Sequence, residues 1–201
     1  KGLIVRKKFS DGQTDPLPNH AGVFMNSAAH LTLVLGGARS GKSRHAQSLV
    51  ERIASPWVYV ATAQTLDEEM RVRIAEHRAR RGANWETIEA PLDLAKALAD
   101  AGASPVLVDC LTLWLTNLML HDRDIPDAVA RMEAALHARA APTVLVANEV
   151  GLGIVPENAL ARRFRDEAGR LNQHLAARAD RVLFMVAGMA MRVKCPATER
   201  S

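Results

Sequence analysis

The sequence predicts an α/β fold, a mostly parallel sheet flanked by helices, on three observations. Short apolar runs alternate with segments of helical spacing from Leu31 to Val186. Runs such as Leu31–Leu35 and Thr143–Ala147 are continuously apolar, as strands covered on both faces must be. The first run leads into Gly36-Gly37-Ala38-Arg39-Ser40-Gly41-Lys42-Ser43, which fits the G-x-x-x-x-G-K-[ST] pattern of a phosphate loop.

Each element has its own justification. Leu31–Leu35 is the first strand. Lys42–Ile53 is a helix, with Ala46, Leu49, Val50 and Ile53 on one stripe. Trp57–Ala61 is the second strand. Thr65-Leu66-Asp67-Glu68 is a capping box that opens a helix running to about Arg81. Trp85–Glu89 is a short strand, and Leu92–Ala101 a helix ended by Gly102. Val106–Val108 is an apolar strand that ends at Asp109. Leu111–His121 and Asp127–Ala140 have helical spacing. Thr143–Ala147 is a buried strand, and the loop from Asn148 to Pro156 leads to a helix from Glu157 to Arg178. Arg181–Val186 is expected to be the last strand.

Bulk properties narrow the class. A chain of 201 residues with 48% hydrophobic content suits one domain with a full core. The expected organisation is a tail over residues 1–30, disordered or an expression artefact, one domain over 31–194, and a short tail over 195–201. Met25 is a plausible native start. The formal charge of +4 is shared evenly: Lys1, Arg6, Lys7 and Lys8 against Asp11 and Asp15 place half of it in the tail. With 4% aromatic residues and little net charge in the core, a nucleic-acid partner is not expected. Cys110 and Cys195 make neither a disulfide framework nor a metal spacing, so a reducing cytoplasm is the expected compartment. Pro105–Leu120 is short for a membrane span and interrupted by Asp109, Thr112, Thr116 and Asn117.

Ligands of parallel sheets bind at the carboxyl ends of strands. That rule gathers Gly36–Ser43, Thr62, Asp109, Asn148 and Glu149 along one edge. Glycines let the phosphate loop point its N–H groups inward, and the following helix adds its positive dipole end. Lys42 would reach the β- and γ-phosphates of a nucleotide, and Ser43 would ligate Mg²⁺. Asp109, ending Val-Leu-Val-Asp, is either a Walker-B carboxylate near that ion or the N-cap of the next helix. Glu149 either supports Mg²⁺ or orients a substrate hydroxyl, or it is part of a plain strand–helix connection. His77 falls at helical spacing with Met70, Arg73, Ile74 and Arg81. The surrounding arginines draw in polyphosphate and depress the imidazole's pKa, leaving a neutral nitrogen able to attack phosphorus. The competing reading is an exposed histidine among solubilising arginines. Cys110 reads as a small buried hydrophobe.

Six blocks together resemble one family. They are Gly-Gly-Ala-Arg-Ser-Gly-Lys-Ser-Arg (36–44), Val-Tyr-Val-Ala-Thr-Ala (58–63), Asp-Glu-Glu-Met (67–70), Arg-Ile-Ala-Glu-His-Arg (73–78), Asn-Glu-Val-Gly-Leu-Gly-Ile-Val-Pro-Glu-Asn (148–158) and Phe-Arg-Asp-Glu-Ala-Gly-Arg-Leu-Asn-Gln (164–173). The sequence is similar through them to the bifunctional adenosylcobinamide kinase / adenosylcobinamide-phosphate guanylyltransferases of cobalamin biosynthesis. The resemblance implies a RecA-like P-loop NTPase fold. It implies phosphorylation of adenosylcobinamide by ATP or GTP, then transfer of GMP from GTP to adenosylcobinamide phosphate through a GMP-histidine at His77. It implies nucleotide contacts at Gly36, Gly37, Ala38, Arg39, Ser40, Gly41, Lys42, Ser43, Ala61, Thr62, Ala63, Arg78, Ala79, Arg80, Arg81, Glu89 and Asp109. A homo-oligomer, typically a trimer, is implied as well. The uniformly basic Arg78–Arg81 segment departs from the family's more mixed composition there. The alternatives are a P-loop small-molecule kinase without guanylyl transfer and a RecA-type nucleic-acid ATPase.

Overall fold

A computed structural model describes residues 29–64 and 81–196. Its seven-stranded sheet has the order β3-β2-β4-β5-β1-β6-β7. The strands are β1 Leu31–Gly36, β2 Trp57–Ala61, β3 Trp85–Glu89, β4 Val106–Asp109, β5 Thr143–Asn148, β6 Arg181–Val186 and β7 Met189–Lys194. Neighbours among β1–β6 pair in parallel, and β7 runs antiparallel to β6. The described helices are α1 Lys42–Val50, α2 Leu94–Asp100, α3 Leu111–Leu120, α4 Ile125–Ala138 and α5 Ala159–Arg178. The expected helix from Thr65 lies outside the described residues.

Period-two alternation divides the strand side chains between two cores. Leu33, Val58, Val60, Val106, Val108, Leu145 and Val182 face one core with residues of α2–α5, including the fully buried Trp114 and Met132. Val34, Tyr59, Leu107, Val144, Val146 and Leu183 face the other with Ala46 and Val50 of α1. Burial on both faces is why the strands read as unbroken apolar runs.

Helix ends differ from the spacing where local chemistry intervenes. Helix α1 stops at Val50 rather than Ile53; the Ile53 carbonyl accepts from Trp57 Nε1 at 2.8 Å, and Pro56 follows. Helix α4 starts at Ile125 because Asp124 caps it, accepting from Asp127 N at 2.9 Å, with Pro126 in the first turn. Asn158 caps α5 by accepting from Leu160 N at 2.7 Å, so that helix begins at Ala159. His30, placed in the tail by the sequence, accepts from Thr143 N through its carbonyl at 2.7 Å.

The main correction is β7: Arg181–Val186 is not the last strand. Ala187 and Gly188 take φ values of 51° and 82°, so both central residues of the turn are left-handed. That geometry folds β7 back along β6 as a tight hairpin.

Candidate functional site

The phosphate loop leaves β1 at Gly36 and enters α1 at Lys42. Gly41 sits at the N-cap with φ 93°, and no side chain caps the helix. The first turn of α1 therefore turns its dipole end into the loop. Close packing explains both fixed glycines. A Cβ on Gly36 would lie 2.6 Å from Ser40 Oγ and 2.8 Å from Met185 O; one on Gly41 would lie 3.2 Å from Gly188 Cα. The β6–β7 turn thus presses on the loop, and Gly188 N donates to Ser40 O at 3.0 Å. Lys42 is buried, and its Nζ donates to Gly37 O at 2.9 Å. Ser40 Oγ is buried without a hydrogen-bond partner, a polar atom suited to an incoming phosphate. Ser43 follows Lys42 in the first turn of α1.

Strand order sets the rest of the edge. Asp109 ends β4, in register with Ala61 of β2 and Val146 of β5. Gly36 is in register with Asn148. The carboxyl end of β5 therefore lies between Asp109 and the phosphate loop. Glu149 N donates to Gly36 O at 3.1 Å, while its Oε1 accepts from Gly151 N at 2.5 Å.

Asp109 does not cap α3: Cys110 occupies that position, without a side-chain cap. Instead Asp109 Oδ2 accepts from Tyr59 OH at 3.2 Å. Burial, then the Asp109 charge, raise the Tyr59 pKa and keep the phenol a proton donor. The Arg81 guanidinium lies 3.6 Å over the Tyr59 ring. Cys110 is buried as expected, and desolvation followed by Asp109 pushes its thiol up to about 11.

Thr62 is fully buried. Its hydroxyl donates to Cys110 O and accepts from Cys110 N, each at 2.8 Å. Asn117 Nδ2 donates to Thr62 O at 2.8 Å and to Pro91 O at 2.9 Å. Thr62 is thus a clamp between the ends of β2 and β4. Ala61 pairs with Glu89, and its carbonyl accepts from Ala90 N at 2.8 Å. Ala63 lies just beyond β2. The structure brings Gly36–Ser43, Ala61–Ala63, Arg81, Glu89, Asp109 and Glu149 to one sheet edge. His77, Arg78, Ala79 and Arg80 lie outside the described residues, in the segment that leaves after Gln64 and returns at Arg81.

Three contributors were not visible as site residues in the sequence: Tyr59, Thr112 and the Ala187–Gly188 turn. Tyr59 is the chain's single tyrosine, on an otherwise apolar strand, and that polar tip was the available signal. Thr112 Oγ1 accepts from Asn148 N at 2.6 Å, which fixes the root of the β5–α5 loop.

A parallel sheet, a phosphate loop and an aspartate on the neighbouring-but-one strand define a P-loop nucleotide enzyme of RecA-like architecture. An ATPase from a type III secretion system has the same fold at TM-score 0.51 and 9% identity, over 81% of this chain and 56% of that one. The family model described as cobinamide kinase / cobinamide phosphate guanyltransferase matches residues 32–193, and the chain belongs to that family. It is 52% identical to the bifunctional adenosylcobalamin biosynthesis protein CobP of Pseudomonas aeruginosa, over 81% of this chain and 96% of that protein. It is 44% identical to the bifunctional adenosylcobalamin biosynthesis protein CobU of Salmonella typhimurium, over 82% and 99%. Neither a plain kinase nor a nucleic-acid ATPase is favoured by these relatives.

Proposed function

We propose that this chain carries out both reactions of its family at one nucleotide site. A γ-phosphoryl group passes from ATP or GTP to the hydroxyl arm of adenosylcobinamide. GMP then passes from GTP to the new phosphate, giving adenosylcobinamide-GDP and pyrophosphate. In the first reaction Lys42 and the loop amides, Gly36 to Ser43, neutralise charge on the moving phosphoryl group. Glu149 receives the hydroxyl proton in this reading; its position at the carboxyl end of β5, beside the phosphate loop, supports it. In the second, a neutral His77 nitrogen attacks the α-phosphorus and the bond to pyrophosphate breaks. A phosphate oxygen of the corrinoid then attacks the same phosphorus, the P–N bond breaks, and His77 is regenerated.

The observation that carries this reading is the link from the histidine segment to the carboxylate. Arg81, four residues after His77, stacks on Tyr59, and Tyr59 donates to Asp109. Arg78, Ala79, Arg80 and Arg81 are then nucleotide contacts, with Ala61, Ala63 and Glu89 around them; Thr62, expected there too, is fully buried with its hydroxyl and carbonyl engaged, and supports the site from behind by clamping the strand ends.

Mg²⁺ suits the donors present. Ser43 and Asp109 offer hard oxygens, and Tyr59 fixes one of the Asp109 oxygens. When bound, the ion would supply further charge neutralisation at the phosphates. Residues 31–194 act as the single catalytic unit, in the cytoplasm, a compartment that suits the free thiols of Cys110 and Cys195. A homo-oligomer, a trimer by family resemblance, is supported by the exposed apolar row Met189, Met191 and Val193 on edge strand β7.

The test is labelling by α-³²P GTP. His77→Ala is expected to abolish the protein–GMP adduct and guanylyl transfer while phosphorylation of adenosylcobinamide continues. An adduct that persists in this variant refutes the role of His77.

A further inference from the structure

The phosphate loop is held from outside its own motif. Strand β6 pairs with β1 as far as Met185 beside Gly36, so the chain leaves β6 alongside the start of the loop. The turn that follows closes with Val186 beside Met189, and Ala187 and Gly188 form its tip with left-handed φ values of 51° and 82°. Two loop glycines meet this hairpin. A Cβ on Gly36 would lie 2.8 Å from Met185 O, and one on Gly41 would lie 3.2 Å from Gly188 Cα. Gly188 N donates to Ser40 O at 3.0 Å. Within the motif, Ser40 N donates to Gly37 O at 3.3 Å and Lys42 Nζ to the same oxygen at 2.9 Å. Both of those bonds end on Gly37. The Ser40 carbonyl, at the entry to α1, is fixed by the hairpin instead.

We propose that Gly188 is a positioning residue for the phosphate loop: by holding the Ser40 carbonyl it sets the direction of the Gly41 amide, and with it the loop's grip on phosphate. The inference rests on this loop binding the phosphates of a nucleotide, as the proposed function requires. Ser40 C=O and Gly41 N–H belong to one planar trans peptide and point in opposite directions. With the carbonyl turned to the hairpin, the N–H faces away from it, toward the side left for an anion. The positive end of the α1 dipole lies at the same peptide, because Gly41 is the N-cap. Gly41 must be glycine, for its φ of 93° and for its close approach to Gly188. Glycine resists backbone rotation least of all residues, so the motif cannot stiffen this peptide by itself. The stiffness comes from the hairpin. The tether also fixes the residue whose buried Oγ has no hydrogen-bond partner. Gly188 suits the task through its backbone: its φ favours glycine, while a Cβ there would meet nothing within 4 Å. Tether and bound phosphate stabilise one loop conformation, so each strengthens the other.

The experiment is calorimetric titration of the full chain with inorganic pyrophosphate and with GTP, on the wild type, Gly188→Val and Gly188→Asn. Both new side chains enter open space. They differ in that a β-branched residue resists a left-handed φ and asparagine tolerates one. At a temperature where all are folded, Gly188→Val is expected to raise the pyrophosphate dissociation constant at least about tenfold, the scale of one lost hydrogen bond to a charged group. Gly188→Asn is expected to stay within about threefold of the wild type. A wild type that binds neither ligand would overturn the nucleotide reading itself. A wild type that binds both, with the same constants in the variants, would overturn only the role of Gly188. So would equal weakening in the two variants, which would trace the effect to an added side chain and not to the backbone. Should Gly188→Val fail to fold, hydrogen exchange at the Gly188 amide of the wild type decides. Pyrophosphate is expected to slow that exchange at least about fivefold, and an unchanged rate refutes the proposal.

Discussion

Two loops leave neighbouring strands at the same sheet edge and solve opposite problems. The phosphate loop after β1 works with backbone amides, a buried lysine and glycines pressed against β6 and its turn. The loop after β5 uses its backbone only to anchor itself and displays aliphatic side chains to solvent. Phosphate is small, charged and the same in every nucleotide, so it rewards fixed dipoles at fixed positions. Substitutions in the first loop should act on kcat and nucleotide affinity.

The sharpest way to break that division is Lys42→Ala. Kinase kcat/KM is expected to fall by about 10²–10³-fold, the scale for losing one preorganised donor to a developing charge. The fall should sit in kcat and ATP binding, read by initial rates over both substrates; a change confined to cobinamide KM would erase the distinction. Gly36→Ala comes next. Its methyl would meet Ser40 Oγ and the Met185 carbonyl, so stability should drop by about 1–3 kcal/mol with weaker nucleotide binding. Thermal melts with and without GTP check this, and an unchanged melting temperature would mean the hairpin does not constrain the loop. Tyr59→Phe is the mildest. It removes the donor to Asp109 while keeping the ring under Arg81. The apparent Mg²⁺ affinity of the kinase reaction should weaken by about tenfold with other constants little altered. An unchanged Mg²⁺ titration would remove Tyr59 as a positioning residue.

What the sequence made legible follows one pattern. Strands β1 to β6 were readable because burial on both faces leaves no polar residue to blur an apolar run. That Lys42, Ser43 and Asp109 lie at one sheet edge was readable because their spacing relative to those strands is the signal; their roles at a nucleotide remain part of the proposal. Strand β7 was not, because Met189–Lys194 is exposed along nearly its whole length and lacks the alternation that one buried face imposes. Its turn is Ala-Gly, a weaker hairpin cue than Asn-Gly. The missed contacts share one cause: Gly188 to Ser40, Tyr59 to Asp109 and Thr112 to Asn148 join residues distant in sequence, and only the sheet order brings them together. His77 is the reverse case. Its role came from a resemblance among neighbours in sequence, and it awaits the labelling test.

The buried thiol of Cys110 has a consequence for redox chemistry. It stands one residue from Asp109, between the clamped ends of β2 and β4, with its pKa pushed up to about 11. Oxidants and alkylating reagents attack the thiolate, and almost none exists there at neutral pH. The sheet edge that handles nucleotides therefore contains a cysteine yet offers electrophiles no nucleophilic sulfur while the fold is closed.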